Sequence, residues 1–432
     1  MKTETTTALP VSKYAKLLEL GKLVTITGAA QLIIQLIGFV SAVIVIRLLP
    51  TQEYALYTLV NTMLGTMILL ADGGISTGVM SQGGKVWQDK NKLGLVIATG
   101  LDLRRKFAVG SLLVAVPVLL YLLVHHGASW LMAGLLTVAL IPAFFSSLSS
   151  TLLEVAPKLT QDIAPLQKIQ VHTNILRLIL TSLTIFTFPW AYIAIFASGL
   201  PPVWANWQLR KTSSRYADTK QNPDPAISKE ILTFVKRILP GAIYYCASGQ
   251  ITIWLISIFG STTAVAQVGA LGRLVMVLSI FNVLFSTLIA PRFARLPNNK
   301  RVLLGHYLRI TAAMLLILSL LLAVVWLFPT QILWALGPAY ANLHTELFLN
   351  IAGSCLGLIA GSSFSLYTHR GWAIKPVILI PLSIAAVAIS AYFLDISTLR
   401  GILMLNICVA GFEAVMHIVF SLLMINKVTT TE

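Results

Sequence analysis

Runs of roughly 20 predominantly apolar residues recur along the whole chain, and nothing else in the sequence limits the fold so severely. At about 1.5 Å of rise per residue, each run matches a hydrocarbon layer about 30 Å thick. The runs read as Val24 to Leu48, Tyr54 to Ala71, Phe107 to Val124, Leu131 to Leu153, Ile169 to Phe188, Ala191 to Trp207, Ile238 to Phe259, Ala264 to Ala290, Leu303 to Leu327, Leu347 to Leu366, Val377 to Phe393 and Leu399 to Ile425. Hydrophobic residues make up 57% of the chain and charged residues 11%, with a mean hydropathy of +0.84, more apolar side chain than a water-facing globule can bury. Open strands cannot span lipid, because their edge N–H and C=O groups find no partners there, so helix is expected for every run. The expected fold is an all-α polytopic membrane protein of about twelve transmembrane helices.

The cations test that count. With the N-terminus (Lys2, Lys13, Lys16, Lys22) in the cytoplasm, loops on the same side hold Lys85, Lys90, Lys92, Arg104, Arg105 and Lys106; Lys158 and Lys168; Arg210, Lys211, Arg215, Lys220, Lys229, Lys236 and Arg237; Arg292, Arg295, Lys300 and Arg301; Arg370 and Lys375; and Lys427. The far-side loops hold only Arg47 and Arg400. This alternation follows the positive-inside rule and puts both termini in the cytoplasm; one miscounted helix would scramble it. It also accounts for the net charge of +16. The basic residues sit in short loops beside apolar runs, where they meet anionic membrane lipid, rather than clustering with aromatics as in a nucleic-acid binder.

Cys246, Cys355 and Cys408 fall inside apolar runs without metal-ligand spacing, so packing is their expected role, with no disulfide and no metal. The polar first 22 residues lead into a run too long for a cleaved signal, so Val24 to Leu48 is expected to persist as a helix with no soluble domain before it. Lys211 to Lys236 is the longest polar stretch and divides the chain into an N-terminal six-helix bundle (1–208), a cytoplasmic linker (209–237) and a C-terminal six-helix bundle (238–432). Within it Ile227, Ile231, Phe234, Val235 and Ile238 recur at helical spacing opposite Lys229, Lys236 and Arg237, predicting an amphipathic surface helix that leads into the seventh span. Lys85 to Lys106 is expected to form a similar element.

A polar side chain in hydrocarbon is costly, about 2.5–3.5 kcal/mol for Arg at a helix centre, so those retained face a cavity or another helix. In the fifth span Gln170, Asn174, Arg177 and Thr181 share one helical face, with Arg177 near mid-depth. The first span carries Thr27, Gln31 and Gln35, the second Thr58, Asn61 and Asp72, the seventh Gln250, the eighth Gln267, Arg273 and Asn282, and the twelfth Asn406, Glu413 and His417. The amides serve equally well as interhelical hydrogen-bonding groups. A structural arginine needs a carboxylate or several carbonyls nearby, and the candidate acids, Glu154, Glu413 and Asp72, are few; the other reading has Arg177 and Arg273 binding an anion in a wet cavity. Glu413 and His417, at i and i+4, are spaced to share a proton, and with Asp72 they are the candidate ion-coupling residues. Gly353, Gly357 and Gly361 form a small-residue ridge of the kind that lets helices pack closely.

No enzyme constellation is legible. The far-side loops are short, the longest running from about Phe328 to Glu346, and none gathers acids, bases or metal ligands. His125 and His126, adjacent in a turn, do not make a metal site. A Gly-rich phosphate loop with Lys is missing, so neither nucleotide hydrolysis nor a cofactor is expected.

Read in order, Arg47-Leu48-Leu49-Pro50-Thr51-Gln52-Glu53-Tyr54-Ala55-Leu56-Tyr57 and then Ala71-Asp72-Gly73-Gly74 resemble the opening of the bacterial Wzx-type polysaccharide flippases, with Ala55 where those usually have Gly. Phe259-Gly260-Ser261, Gly269 to Arg273 and Ala290-Pro291-Arg292 resemble the corresponding region around the seventh and eighth spans. The resemblance implies a V-shaped pair of six-helix bundles of the multidrug and oligosaccharide-lipid exporter superfamily, in the bacterial cytoplasmic membrane. It implies as substrate an undecaprenyl-diphosphate-linked oligosaccharide moved from inner to outer leaflet, with H+ or Na+ as coupling ion and glycan polymerase or chain-length proteins as partners. On that reading Arg177 and Arg273 meet the diphosphate, and Gln31, Gln35, Gln170, Asn174, Gln250 and Asn282 meet sugar hydroxyls. The competing readings are a multidrug antiporter of the same superfamily, which would favour acidic residues in the cavity, and a glycan polymerase or ligase, which would need a large catalytic outer loop.

Overall fold

The computed structural model describes residues 13–428 apart from 161, 219, 286–288, 295, 298, 369, 371 and 373. Within the helices, the side chains of residues 13–27, 234, 237–243, 245–247, 249–250, 277, 280, 283–284, 291 and 294 lie outside the description. The described residues are helical throughout, with no strand: α1 Lys13–Leu48, α2 Thr51–Asp72, α3 Ile75–Val86, α4 Lys90–His125, α5 Trp130–Leu153, α6 Val155–Leu159, α7 Ala164–Thr187, α8 Ala191–Ser213, α9 Pro225–Phe259, α10 Thr262–Val275, α11 Ser279–Leu284, α12 Ala290–Ala294, α13 Lys300–Leu327, α14 Pro329–Trp334, α15 His344–Thr368, α16 Pro376–Phe393 and α17 Leu399–Asn426. Among the described residues, nine helices are long and apolar enough to cross a membrane. The other three expected spans fall on α8, α9 and the α10–α11 segment.

Local chemistry sets the helix ends. Asp89, Ser129, Asp224, Ser261, Asn299 and Thr398 each accept a hydrogen bond from a backbone amide at the start of the helix that follows, satisfying donors that have no intrahelical partner. Gly73 and Gly74 adopt φ of 49° and 95°, left-handed values that stop α2 and turn the chain into α3. Prolines inside α4, α5, α8 and α16 are accommodated, as lipid-buried helices allow.

Three expectations change. The eighth span is not one regular helix: α10 ends at Val275, a 3-10 turn covers Met276–Leu278, and α11 resumes at Ser279. Irregular backbone at membrane depth is tolerable where it lines a cavity, and this turn does. The amphipathic segment before the seventh span is not a separate surface helix but the first turns of a continuous α9. Its Ile231 and Val235 are buried with Ile75, Val79, Leu93, Val96 and Ile97 of α3 and α4, so its apolar face is covered by protein rather than lipid headgroups. Lys85 to Lys106 is likewise no surface element: α3 ends at Val86, and α4 runs unbroken from Lys90 with Arg104 buried on it.

α1, α2, α4, α5, α7 and α8 pack on one another, as do α9, α10, α13, α15, α16 and α17, and α2 lies across α9 and α10 between the two groups. At the end of the molecule that is poor in basic loops, one apolar core runs through both groups, from Val45, Tyr54 and Leu56 to Val265, Leu271, Tyr340 and Ile351. At the basic end the core is divided into smaller clusters: one joins α3, α4, α5 and α6 to the start of α9 through Ile231 and Val235, and the others each keep to one group. Phe293, Tyr307, Leu366 and Ile425 cluster without any residue from the first group, and Leu153, Leu166 and Leu209 without any from the second.

Polar contacts reinforce the closed end. Arg47 donates from Nε to the Ala335 carbonyl at 2.9 Å and from its terminal nitrogen to the Trp334 carbonyl, with its guanidinium 4.6 Å from the Trp334 ring centroid. His126 bridges Thr262 Oγ1 at 3.1 Å and the Ser257 carbonyl at 2.8 Å. Arg400 pairs with Glu346 at 2.6 Å. Arg47 thus fastens the two groups at this end, whereas Arg400 joins α17 to α15 within one group.

Candidate functional site: a cationic chamber between the helix groups

Three adjoining cavities lie where the two groups face each other. The first, about 280 Å³, is walled by α1, α2, α7 and α10 and lined by Gln35, Tyr54, Tyr57, Asn61, Asn174, Arg177 and Arg273. The second, about 350 Å³, shares Asn61, Arg273 and Met276 with it and adds Thr58 and Thr62. The third, about 1200 Å³, shares Gly272 and Met276 with the second and runs into the other helix group among α9, α15, α16 and α17. Its wall is largely apolar, with Tyr244, Ser279, Asn282, Asn406 and Glu413 as polar points.

The arginines come together by packing. On α7 the stripe predicted from sequence faces α1, and Arg177 enters the first cavity with Asn174. Arg273 arrives from the other helix group because α10 approaches α2 very closely at Gly269. A Cβ there would stand 2.5 Å from Thr58 Oγ1, so only glycine permits the crossing. One turn further on, Arg273 lies beside the hydroxyls of Tyr54 and Tyr57. Among the described residues neither Arg177 nor Arg273 has a carboxylate within ion-pairing distance. Glu154, one of the candidate acids for Arg177, instead pairs with Lys158 at 2.7 Å and accepts from Gln170 at 3.4 Å. Two guanidiniums in one cavity without a counter-charge form a strong anion field, because Coulomb energies grow as water is excluded.

The remaining candidates divide. Gln31 donates to Gln170 at 3.5 Å, so these two join α1 to α7 and line none of the three cavities. Asn282 and Glu413 line the third cavity, where Glu413 accepts from the Tyr244 hydroxyl at 3.4 Å. His417 does not meet Glu413; it is buried, and its Nδ1 bonds the Tyr367 hydroxyl at 3.1 Å. Asp72 lies away from the chamber in an ion pair with the buried Arg104, which also donates to the Leu148 carbonyl and Thr151. Ser76 completes the pair by donating to Asp72 at 2.8 Å. Gln250 falls on α9, and its side chain lies outside the described residues. Gly353 meets Asn406 of α17, whereas Gly357 opens onto the third cavity, so the glycine ridge of α15 serves both packing and space.

Sequence reasoning passed over Tyr54 and Tyr57. Their spacing with Thr58 and Asn61 places all four on one face of α2, a periodicity present in the sequence.

No family model matches the sequence, and no curated protein matches it. The fold, by contrast, has solved counterparts. An inward-facing multidrug resistance MATE family transporter of the MOP superfamily superimposes with a TM-score of 0.75 at 17% identity, over 92% of this chain and 96% of that one. An outward-facing MATE family structure gives 0.65 at 17% identity over 97% and 99%. A MOP superfamily transporter from Pyrococcus furiosus, described by the reverse polarity of its binding pocket, gives 0.64 at 17% identity over 95% and 96%. The chain therefore has the all-α polytopic fold of the MATE transporters of the MOP superfamily.

Proposed function

We propose that this protein is a flippase that moves an undecaprenyl-diphosphate-linked oligosaccharide across the bacterial cytoplasmic membrane by alternating access, its basic end and both termini facing the cytoplasm. The observation that carries the reading is the pair Arg177 and Arg273, drawn from different helix groups into one cavity with no acid beside them. A diphosphate and its sugars cannot enter hydrocarbon, whereas a polyprenyl tail can stay in it, so the carrier needs a cationic, polar chamber open sideways to lipid. The first cavity supplies cations for the diphosphate; Gln35, Asn174 and Asn282 supply hydrogen bonds for sugars. The core is continuous at the basic-poor end and broken into smaller clusters at the basic end, where the start of α9 bridges the groups; this supports reading the chamber as inward-open, with rocking of 1–208 against 238–432 through the linker 209–237 opening the other side.

Flipping a lipid between leaflets is nearly neutral in energy, so net export needs coupling or removal of the product by glycan polymerase or chain-length proteins. One inward-moving H+ or Na+ draws about 2.3 kcal/mol per 100 mV of membrane potential. Glu413 is the coupling carboxylate in this scheme, being the one acid that lines the described chamber.

Replacing Arg177 by Ala is expected to abolish glycan export and leave lipid-linked repeat units on the inner leaflet, with the protein still inserted. Normal export by that variant would remove Arg177 from the mechanism. Glu413 in a large, mainly apolar cavity supports a second reading, a multidrug antiporter taking organic cations. A deletion strain that becomes drug-sensitive while exporting glycan normally would select it.

A further inference from the structure

Tyr54 is 1% exposed and lines the cavity that holds both arginines. Its ring is held by Tyr57, stacked at 6.1 Å, and by Tyr340, edge-on at 6.5 Å. Its hydroxyl stands beside Arg273 and the Thr58 hydroxyl, and neither its oxygen nor Thr58 Oγ1 closes a hydrogen bond of good geometry among the described residues. A guanidinium carries donors and no acceptor, so of these two neighbours only Thr58 Oγ1 could take the phenolic proton, and it closes no bond of good geometry with it. A buried O–H without an acceptor is an unfavourable arrangement unless an occupant supplies one.

The two asparagines of the same cavity present the opposite polarity. Asn61 Nδ2 donates at 2.8 Å to the Tyr57 carbonyl, and Asn174 Nδ2 donates at 2.8 Å to the Gln170 carbonyl. Each amide spends a donor on its own helix and keeps its side-chain oxygen as an acceptor in the cavity wall. Three anion-seeking donors from α2, α7 and α10 thus share one small space with two acceptors suited to hydroxyl groups.

We propose that Tyr54 is the third ligand of a phosphoryl site, donating its proton to a phosphate oxygen held by Arg177 and Arg273, while Asn61 and Asn174 accept from hydroxyls of the adjoining sugar. The site is then specific for a glycosyl phosphate. Two guanidiniums alone saturate a planar carboxylate; a further donor from a third helix suits a tetrahedral oxyanion, whose oxygens do not share one plane. This inference rests on the assignment of Arg177 and Arg273 to the diphosphate.

The test is calorimetric titration of the purified full chain in detergent with inorganic diphosphate and, separately, malonate. Wild type is expected to bind diphosphate more tightly. Tyr54→Phe should weaken diphosphate about tenfold or more and leave malonate unchanged. Tyr54→His, which keeps a ring and an N–H donor, should restore part of the preference, and Tyr340→Phe should match wild type. Unchanged diphosphate affinity in Tyr54→Phe overturns the proposal, as does equal weakening of both anions, which would make Tyr54 a wall of the cavity only. If wild type binds neither anion, the arginine pair itself is misassigned and the flippase reading falls with it.

Discussion

Gly269 of α10 meets Thr58 of α2 at a separation that leaves no room for a Cβ, and this crossing delivers Arg273 to the chamber. Gly269→Ala is expected to push α10 outward, displace Arg273 and reduce export by at least tenfold. Thr58→Ala, which removes the Oγ1 and Cγ2 that the new methyl would meet, is expected to restore export in the Gly269→Ala background. Export assays on the two variants at matched membrane levels separate positioning from general damage to α10.

Asp72 and Arg104 make a different prediction from the one their sequence context invites. Arg104 is 3% exposed, and its donors are taken by Asp72, Leu148 and Thr151. Removing one partner of a buried pair strands the other charge, at a cost of about 3–5 kcal/mol. Asp72→Asn and Arg104→Leu are therefore expected to lower thermal stability and membrane abundance. The protein that remains should keep the wild-type ion dependence, measured by transport in proteoliposomes under imposed gradients.

Glu413 is the position at which ion dependence should change. Glu413→Gln retains the contact with Tyr244 and removes the charge. Transport by that variant is expected to become insensitive to the proton or sodium gradient, with inserted protein at normal levels. Persistent gradient dependence excludes Glu413 as the coupling carboxylate.

His126, which bridges Thr262 and Ser257, is expected to couple closure of the basic-poor end to pH. Burial holds its imidazole below the usual value and the adjacent His125 pushes the same way, against the Ser257 carbonyl it contacts. The closed state therefore favours the neutral ring. Its contribution to closure is complete above about pH 6.5, the ordinary value, and is lost as pH falls below it. Spin labels at Trp130 and Thr263, in a background without reactive native cysteines, should move apart on acidification in wild type but show no such pH response in His126→Gln.

Arg47 secures the same end by donating to the Trp334 and Ala335 carbonyls. Arg47→Ala is expected to shift the population toward the opposite opening, read as longer distances between the same labels at neutral pH.

The apolar spans and the helical state were legible in the linear chain, because lipid forces backbone polar groups to pair within a segment. The stripe Gln170, Asn174 and Arg177 was legible for the same reason, being periodic within one helix. Which polar residues face the chamber depended on contacts between helices far apart in sequence. Asp72 looked free until α4 placed Arg104 against it; Glu413 and His417, one turn apart, reach different neighbours because α9 and α15 flank α17 differently. The encounter of Arg177 with Arg273 required α10 to slide over α2 at Gly269. Periodicity assigns a residue to a face of its own helix, and only the packing of the helices determines what that face meets.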